Sequence, residues 1–77
     1  MNTTFRLLSQ LRPGESGVVD GFESEDPTTD RLREMGLVRG TRVEVRRLAP
    51  MGDPIELTVR GYRLSIRISD ASRVRIL

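Results

Sequence analysis

The sequence predicts a mainly β fold, a small barrel of about five strands with short helices. Apolar and polar residues alternate over three segments, at 42–46, 55–60 and 62–68. Alternation with a period of two places one face of each strand in the core. Glycine and proline residues separate these segments, as expected for strands joined by tight turns. The chain has 77 residues, which predicts one domain spanning 1–77.

The N-terminal elements follow from apolar spacing and turn residues. The apolar residues Leu7, Leu8 and Leu11 have the spacing of one or two helical turns. Pro13 and Gly14 then predict a turn. The β-branched pair within 17–22 predicts a short strand. Its glycines indicate bulges or a close backbone approach at a barrel corner.

A short helix is predicted after the polar segment that follows this strand. Asp26 is placed as the N-cap, and the proline after it suits the first helical position. Leu32 and Met35 lie three residues apart on one helical face. Gly36 supplies the left-handed residue that ends the helix, and Leu37 is expected to fold back onto Leu32 in a Schellman motif.

The C-terminal half contains the strands that fill the core. The alternation of the first segment breaks at Arg47 and Leu48, which predicts a bulge there, and Gly61 predicts a tight turn. A helical turn over 69–72 and a closing strand over 74–77 complete an SH3-like barrel. The residues expected to share its interior are Val43, Val45, Ile55, Leu57, Val59, Leu64, Ile66 and Ile68.

The composition favours binding over catalysis. The chain has no histidine, cysteine or lysine, the side chains most used for general base catalysis, soft-metal binding and Schiff-base chemistry. We therefore predict no enzyme activity and no catalytic, cofactor or metal site. The N-terminus lacks a long apolar run with a small-residue cleavage site, and no stretch approaches the about 20 apolar residues of a membrane span. A cytoplasmic location is expected.

The charge pattern gives little support to nucleic-acid binding. Thirteen arginines and eleven carboxylates leave a net charge of +2, and both signs are mixed along the chain. Phe5, Phe22 and Tyr62 are the only aromatic residues, too few for a stacking surface. Two alternatives stay open: a nucleic-acid-binding SH3-like or Sm-like barrel, and a barrel with a peptide-binding groove.

Several segments resemble the FeoA family of small proteins that accompany the ferrous iron transporter FeoB. The similarity covers 11–19, the helix-Gly-Leu-x-x-Gly pattern at 31–41, and most specifically the loop and strands at 49–56 and 59–67. The resemblance implies an SH3-like fold and a supporting role in ferrous iron uptake. It also implies association with a FeoB-type transporter that has a GTP-hydrolysing cytoplasmic domain, with no nucleic-acid partner and membrane contact only through the transporter.

The loop between the first two alternating strands is the first candidate site for partner binding. Its prolines limit the conformations of the chain and hold a methionine outward, as a recognition loop requires. The alternative is a rigid hairpin whose prolines only set the turn. The candidate residues are Pro50, Met51, Asp53 and Pro54.

Two further candidate surfaces each have a simpler structural interpretation. Leu32, Met35 and Leu37 either seal one end of the barrel or present the helix flank to a partner. On the outer strand face, Arg60 and Arg63 are candidates to meet an acidic patch on the transporter, although a solvated charge ladder explains the pattern equally simply. That face also carries Arg42, Glu44, Arg46, Glu56 and Arg67.

Four carboxylates precede and enter the predicted helix, and oxygen ligands suit hard cations. Helix capping and solubility explain them without a metal, since a carboxylate set with no histidine or cysteine gives little selectivity for iron. The residues are Glu23, Glu25, Asp26 and Asp30.

Overall fold

The structure is a computed structural model that describes residues 5–77. The first four residues, part of the N-terminal segment interpreted above as lacking an export signal, lie outside the described residues. In chain order the elements are β1 (Arg6–Leu7), a 3₁₀ turn (Leu8–Gln10), β2 (Ser16–Phe22), α1 (Pro27–Glu34), β3 (Arg42–Leu48), β4 (Ile55–Val59), β5 (Tyr62–Ile66), α2 (Ile68–Ala71) and β6 (Val74–Ile76).

All strands of residues 5–77 join one antiparallel sheet, in the order β1-β6-β2-β3-β4-β5. The expected mainly β architecture is confirmed, with one strand more than the about five predicted. The additional strand is β1, which pairs with β6 over only two residues. Two residues are too few to produce an alternating pattern in the sequence.

The curl of the sheet depends on β2, which pairs with β3 through its first half and with β6 through its second half. The register against β6 shifts between Val19 and Gly21, so β2 carries a bulge there. At Gly17 a Cβ atom would collide with the side chain of Ile76. The predicted bulge and close approach at these glycines are therefore both present, and they mark the corner where the sheet turns.

The second bulge lies one residue before its predicted position. The register of β3 against β4 shifts between Val45 and Arg47, so Arg46 is the extra residue. Beyond it, Leu48 lies opposite Ile55 at the end of the barrel. The alternation in the sequence changes phase only after the extra residue, which explains why the pattern placed the bulge late.

The core lies inside the curled sheet and is closed by α1, the 3₁₀ turn and α2. Six of the eight predicted interior residues are buried, while Leu64 and Ile68 are half-buried against that core. Neither α-helix in residues 5–77 has the length and apolarity that crossing a lipid bilayer demands. The buried apolar side chains are Leu8, Leu11, Val19, Phe22, Leu32, Leu37, Val43, Val45, Ile55, Leu57, Val59, Ile66, Ala71, Val74 and Ile76.

Candidate docking surface

The loop between β3 and β4 is a tight and ordered turn with an exposed tip. The Gly52 N–H donates to the Ala49 carbonyl at 2.7 Å, and the Ala49 N–H donates to the Pro54 carbonyl at 3.0 Å. Pro50 takes the second turn position, for which its fixed φ is suited. The Met51 side chain at the next position is 92% exposed. An apolar side chain is thus presented to solvent on a backbone that is already fixed.

Asp53 fastens this loop to α2. Its Oδ1 accepts the Ile68 N–H at 3.0 Å. The residue preceding α2, Arg67, provides no side-chain cap, so a carboxylate from another loop satisfies one of the free N–H groups of this short helix. The sequence predicts Asp53 at the partner surface, and the structure adds this contact within the chain. The sequence predicts a capped turn over 69–72, whereas α2 begins one residue earlier, at Ile68, and its cap comes from Asp53, so no local signal pointed to this contact.

The helix cluster is mainly part of the core. Leu32 and Leu37 are 1% and 0% exposed, and only Met35 is half-buried at the edge of the core. In this fold Leu32 and Leu37 therefore offer almost no side-chain surface to a partner, whereas Met35 offers part of its own. The interpretation of these two residues as a seal of the barrel agrees with their burial.

The end of α1 has the predicted Schellman motif and a contact that the sequence did not reveal. The Leu37 N–H donates to the Leu32 carbonyl at 3.1 Å, and the Gly36 N–H donates to the Arg33 carbonyl at 2.9 Å. The Tyr62 hydroxyl at the start of β5 donates to the Met35 carbonyl. Tyr62 therefore joins the C-terminus of α1 to the sheet.

The outer face of β3, β4 and β5 is rich in arginine. We call it the arginine face and define it by Arg42, Arg46, Arg47, Arg60, Arg63 and Arg67, with Glu44 and Glu56. Both glutamates already have arginine neighbours: Glu44 lies 3.5 Å from Arg46, and Glu56 lies 3.4 Å from Arg47. The side chains of this face therefore carry an excess of four positive charges.

Two arginines of this face contact hydroxyl groups instead of carboxylates. Arg42 donates to Ser16 Oγ at 2.8 Å, and Arg60 donates to Thr41 Oγ1 at 3.3 Å. They border a shallow groove of 250 Å³, lined by Arg42, Val43, Glu44, Thr58 and Arg60. Within residues 5–77, no carboxylate lies within 4 Å of the guanidinium groups of Arg42, Arg60, Arg63 or Arg67. These groups are accordingly available to carboxylates of another molecule.

The acidic segment before α1 is engaged with arginines. Arg33 lies 2.7 Å from Glu25 and 3.3 Å from Asp30, while Glu23 lies 3.7 Å from Arg75. The hydrogen bond from Arg33 lowers the pKa of the Glu25 carboxyl below its usual value.

Asp26 caps α1 as predicted. It accepts the Thr29 N–H at 3.0 Å and pairs with Arg73. The Thr29 N–H is the main cause of its lowered pKa, to which the Arg73 hydrogen bond also contributes. Across the part of the chain that the structure describes, no three His, Cys, Asp or Glu side chains group in a way that would hold a metal ion.

Comparison with known proteins agrees with the resemblance read from the sequence. The family model described as the FeoA domain matches residues 6–77. A Porphyromonas gingivalis protein described as an Fe(2+) transport protein A/Fe(2+) transporter FeoB fusion is 32% identical over 69 residues. The match covers 90% of this chain but only 8% of the fusion protein.

Solved structures with the same fold include an FeoA-like protein from Clostridium acetobutylicum, at 36% identity and a TM-score of 0.90, covering 99% of this chain and 88% of that one. The zinc complex of FeoA from Stenotrophomonas maltophilia, described as a prokaryotic SH3 domain protein, has 34% identity and a TM-score of 0.80. The match covers 94% of this chain and 89% of the Stenotrophomonas maltophilia chain. The SH3-like fold is thus confirmed, and the chain belongs to the FeoA family.

Proposed function

We propose that this chain is a non-enzymatic accessory protein of ferrous iron uptake. It docks on the cytoplasmic, GTP-hydrolysing domain of a FeoB-type transporter and modulates the assembly or GTP turnover of that transporter. The observation that carries the proposal is the Porphyromonas gingivalis relative, in which an FeoA part and FeoB form one polypeptide. Fusion keeps two modules at a high effective concentration. A separate FeoA chain needs a binding surface to reach the same arrangement.

The loop tip supplies an apolar anchor for that surface. Met51 is flexible and polarizable, so it adapts to an irregular apolar pocket. The turn around Met51 is closed by two backbone hydrogen bonds, and Asp53 holds the loop to α2. Because the backbone is fixed before binding, little conformational entropy remains to be lost on docking.

The arginine face supplies the charged part of the surface. Arg60 and Arg63 belong to the hairpin of β4 and β5, whose distant end, at Ile66, lies two residues from the Ile68 N–H that Asp53 binds. The loop and the hairpin therefore form one continuous surface, with Met51 at one end and Arg60 at the other. Planar guanidinium groups pair bidentately with carboxylates, so an acidic region of the transporter complements this face.

A protein partner agrees better with the aromatic residues than nucleic acid does. Phe22 is buried, and its ring lies 4.8 Å from the Arg33 guanidinium carbon. The Phe5 ring lies beside Arg75, and the Tyr62 hydroxyl is bonded to α1. Stacking of successive bases needs exposed rings along a cationic groove. Each described aromatic side chain instead makes a contact within the chain, although Tyr62 keeps 43% of its surface exposed.

Binding to full-length FeoB of the same species in lipid nanodiscs tests the proposal. We expect Met51→Asp to weaken the affinity by about tenfold or more, because a charge would replace an apolar anchor in the interface. Leu77→Asp is the matched control, since Leu77 is also an exposed apolar residue, at 65%, and lies beside β2. The proposal also expects the wild-type chain to change the GTP turnover or the assembly state of FeoB.

Both substituted side chains are exposed, so the unfolding free energy of each variant should stay within about 0.5 kcal/mol of that of the wild type. Circular dichroism melts measure this. Equal affinity of wild type and Met51→Asp would contradict the loop as the anchor. Absence of any binding by the wild-type chain would contradict docking itself.

A further inference from the structure

The strand β5 is an open edge of the sheet. It pairs with β4 over its whole length, from Tyr62 opposite Val59 to Ile66 opposite Ile55, and within residues 5–77 no strand pairs with its other side. An edge strand presents unpaired N–H and C=O groups, to which another extended chain can bind. Proteins use such edges to recognise peptide segments by strand addition.

The turn before β5 determines which backbone groups face outward. Arg60 and Gly61 have φ values of 49° and 87°, so both central residues are left-handed, as in a type I′ hairpin turn. In a two-residue hairpin the flanking residues, Val59 and Tyr62, form a hydrogen-bonded pair. The pattern then alternates along the strand. The N–H and C=O groups of Arg63 and Ser65 therefore point away from β4, toward the open edge.

The side chains along this edge define what an added strand must carry. On the outer side Arg63 and Ser65 are exposed, and Arg60 and Arg67 flank the strand. On the inner side Tyr62 is 43% exposed and Leu64 is half-buried. A complementary strand therefore alternates between acidic side chains that meet the arginines and apolar side chains that cover Tyr62 and Leu64.

We infer that β5 binds an extended segment of the transporter, of alternating acidic and apolar residues, by antiparallel or parallel strand addition. This inference rests on the proposed function, because it names the part of the partner that docks. A second copy of this chain is a poor occupant of the same edge. Pairing two β5 strands would bring two sets of Arg60, Arg63 and Arg67 into one seam, and like charges across strands are destabilising.

A proline at Ser65 separates strand addition from side-chain contact. Proline lacks the N–H group, and edge strands tolerate it where that group faces solvent. We expect Ser65→Pro to keep the fold and to weaken the affinity for full-length FeoB in nanodiscs by about tenfold or more, because it removes a backbone bond and obstructs the edge. Ser65→Ala is the matched control, which loses the hydroxyl but keeps the N–H, and should bind as the wild type does.

If Ser65→Pro does not fold, amide hydrogen exchange of the wild-type chain decides. Saturating FeoB should slow exchange at Arg63 and Ser65 by at least about tenfold, while Tyr62 and Leu64 are protected already in the free chain. Unchanged exchange at Arg63 and Ser65 would overturn the inference.

Three further outcomes bear on this inference, and the first separates it from the proposed function. Binding of folded Ser65→Pro with wild-type affinity would contradict strand addition alone. A wild-type chain that does not bind FeoB would contradict both. Concentration-dependent dimerisation of the free chain that Ser65→Pro abolishes would identify a second copy as the occupant and would also overturn the inference.

Discussion

At the scale of single residues, Asp26 links local sequence to the stability of the fold. Its carboxylate caps α1 and pairs with Arg73 just before β6. Both interactions favour the charged form, so the pKa of Asp26 in the folded state lies below its ordinary value. At pH values around its folded and unfolded pKa, Asp26 is consequently protonated to a greater extent in the unfolded chain than in the folded one. Stabilisation by Asp26 is complete above its unfolded pKa and is lost as the pH falls through its folded pKa.

We therefore predict a smaller acid sensitivity for Asp26→Asn. Asparagine still caps a helix, but it carries no charge that titrates. Between about pH 6 and pH 3, the melting temperature of the wild type should fall more steeply than that of the variant. Circular dichroism melts across this range provide the measurement. Glu15 and Glu25 also have lowered pKa values, so the melting temperature of the variant should still fall with decreasing pH, but less steeply. Parallel curves would show that Asp26 does not contribute.

Two aspartates show which residue roles a sequence reveals. Asp26 binds the N–H of Thr29, three residues ahead, and this short spacing made the cap predictable. Asp53 binds the N–H of Ile68, fifteen residues ahead and in another element. Capping rules describe the neighbours of a helix start in the chain, so they do not predict a carboxylate that arrives from a separate loop.

At the scale of elements, the junction between α1 and β5 places two demands on one glycine. Gly36 has a φ of 108°, a backbone angle that residues with a Cβ rarely adopt. A Cβ at this position would also collide with the Tyr62 hydroxyl, which is bonded to the Met35 carbonyl. A side chain at this position would therefore strain the backbone and displace the Tyr62 hydroxyl from the helix end.

Gly40 provides the matched comparison, since its φ is 91° and nothing lies within 4 Å of its added Cβ. We expect Gly40→Ala to cost about 1–2 kcal/mol of unfolding free energy through backbone strain. Gly36→Ala should cost about 2–4 kcal/mol, because overpacking against Tyr62 adds to a similar strain. Chemical denaturation measures both. Equal losses would contradict the close contact between Gly36 and Tyr62.

The strands were easier to predict than their contacts. Alternation in β3, β4 and β5 identified the buried face because a period of two leaves a strand few other ways to bury apolar residues. The apolar stripe of α1 did not say whether Leu32 and Leu37 face the core of this chain or a partner. A barrel interior and a partner surface are both apolar environments, and only the folded structure shows that Leu32 and Leu37 lie in the barrel interior.

At the scale of the whole molecule, charges mixed along the chain separate in space. The arginine face has six arginines and two glutamates, whereas the remainder of the chain has seven arginines and nine carboxylates. Alternation places Arg42, Arg47 and Arg63 on this face with Glu44 and Glu56. The other three arginines join them because Arg46 is the bulge residue, Arg60 lies in the turn before β5, and Arg67 follows β5. The net charge of +2 therefore combines a cationic face with an acidic remainder. A linear sequence does not show this division until its strands are paired.

The candidate surface was only partly predictable for the same reason. Proline spacing predicted an outward Met51, since the turn is local to residues 49–54. The open edge of β5 depends on the strand order of the entire sheet, to which β1 and β6 at the other end contribute. Continuity between the Met51 loop and the β5 edge is likewise a tertiary property, because Ile55 at the end of the loop pairs with Ile66 of β5 and Asp53 contacts Ile68 just after that strand.

In the proposed complex, the Met51 loop and the hairpin of β4 and β5 together dock on FeoB. Amide signals of the isotope-labelled chain, recorded with and without full-length FeoB in nanodiscs, show which residues the transporter contacts. We expect shifts or signal losses to concentrate at Met51, Gly52 and residues 60–66, with β2 and β6 much less affected. Changes confined to β2 and β6, or no change at saturating FeoB, would contradict this docking.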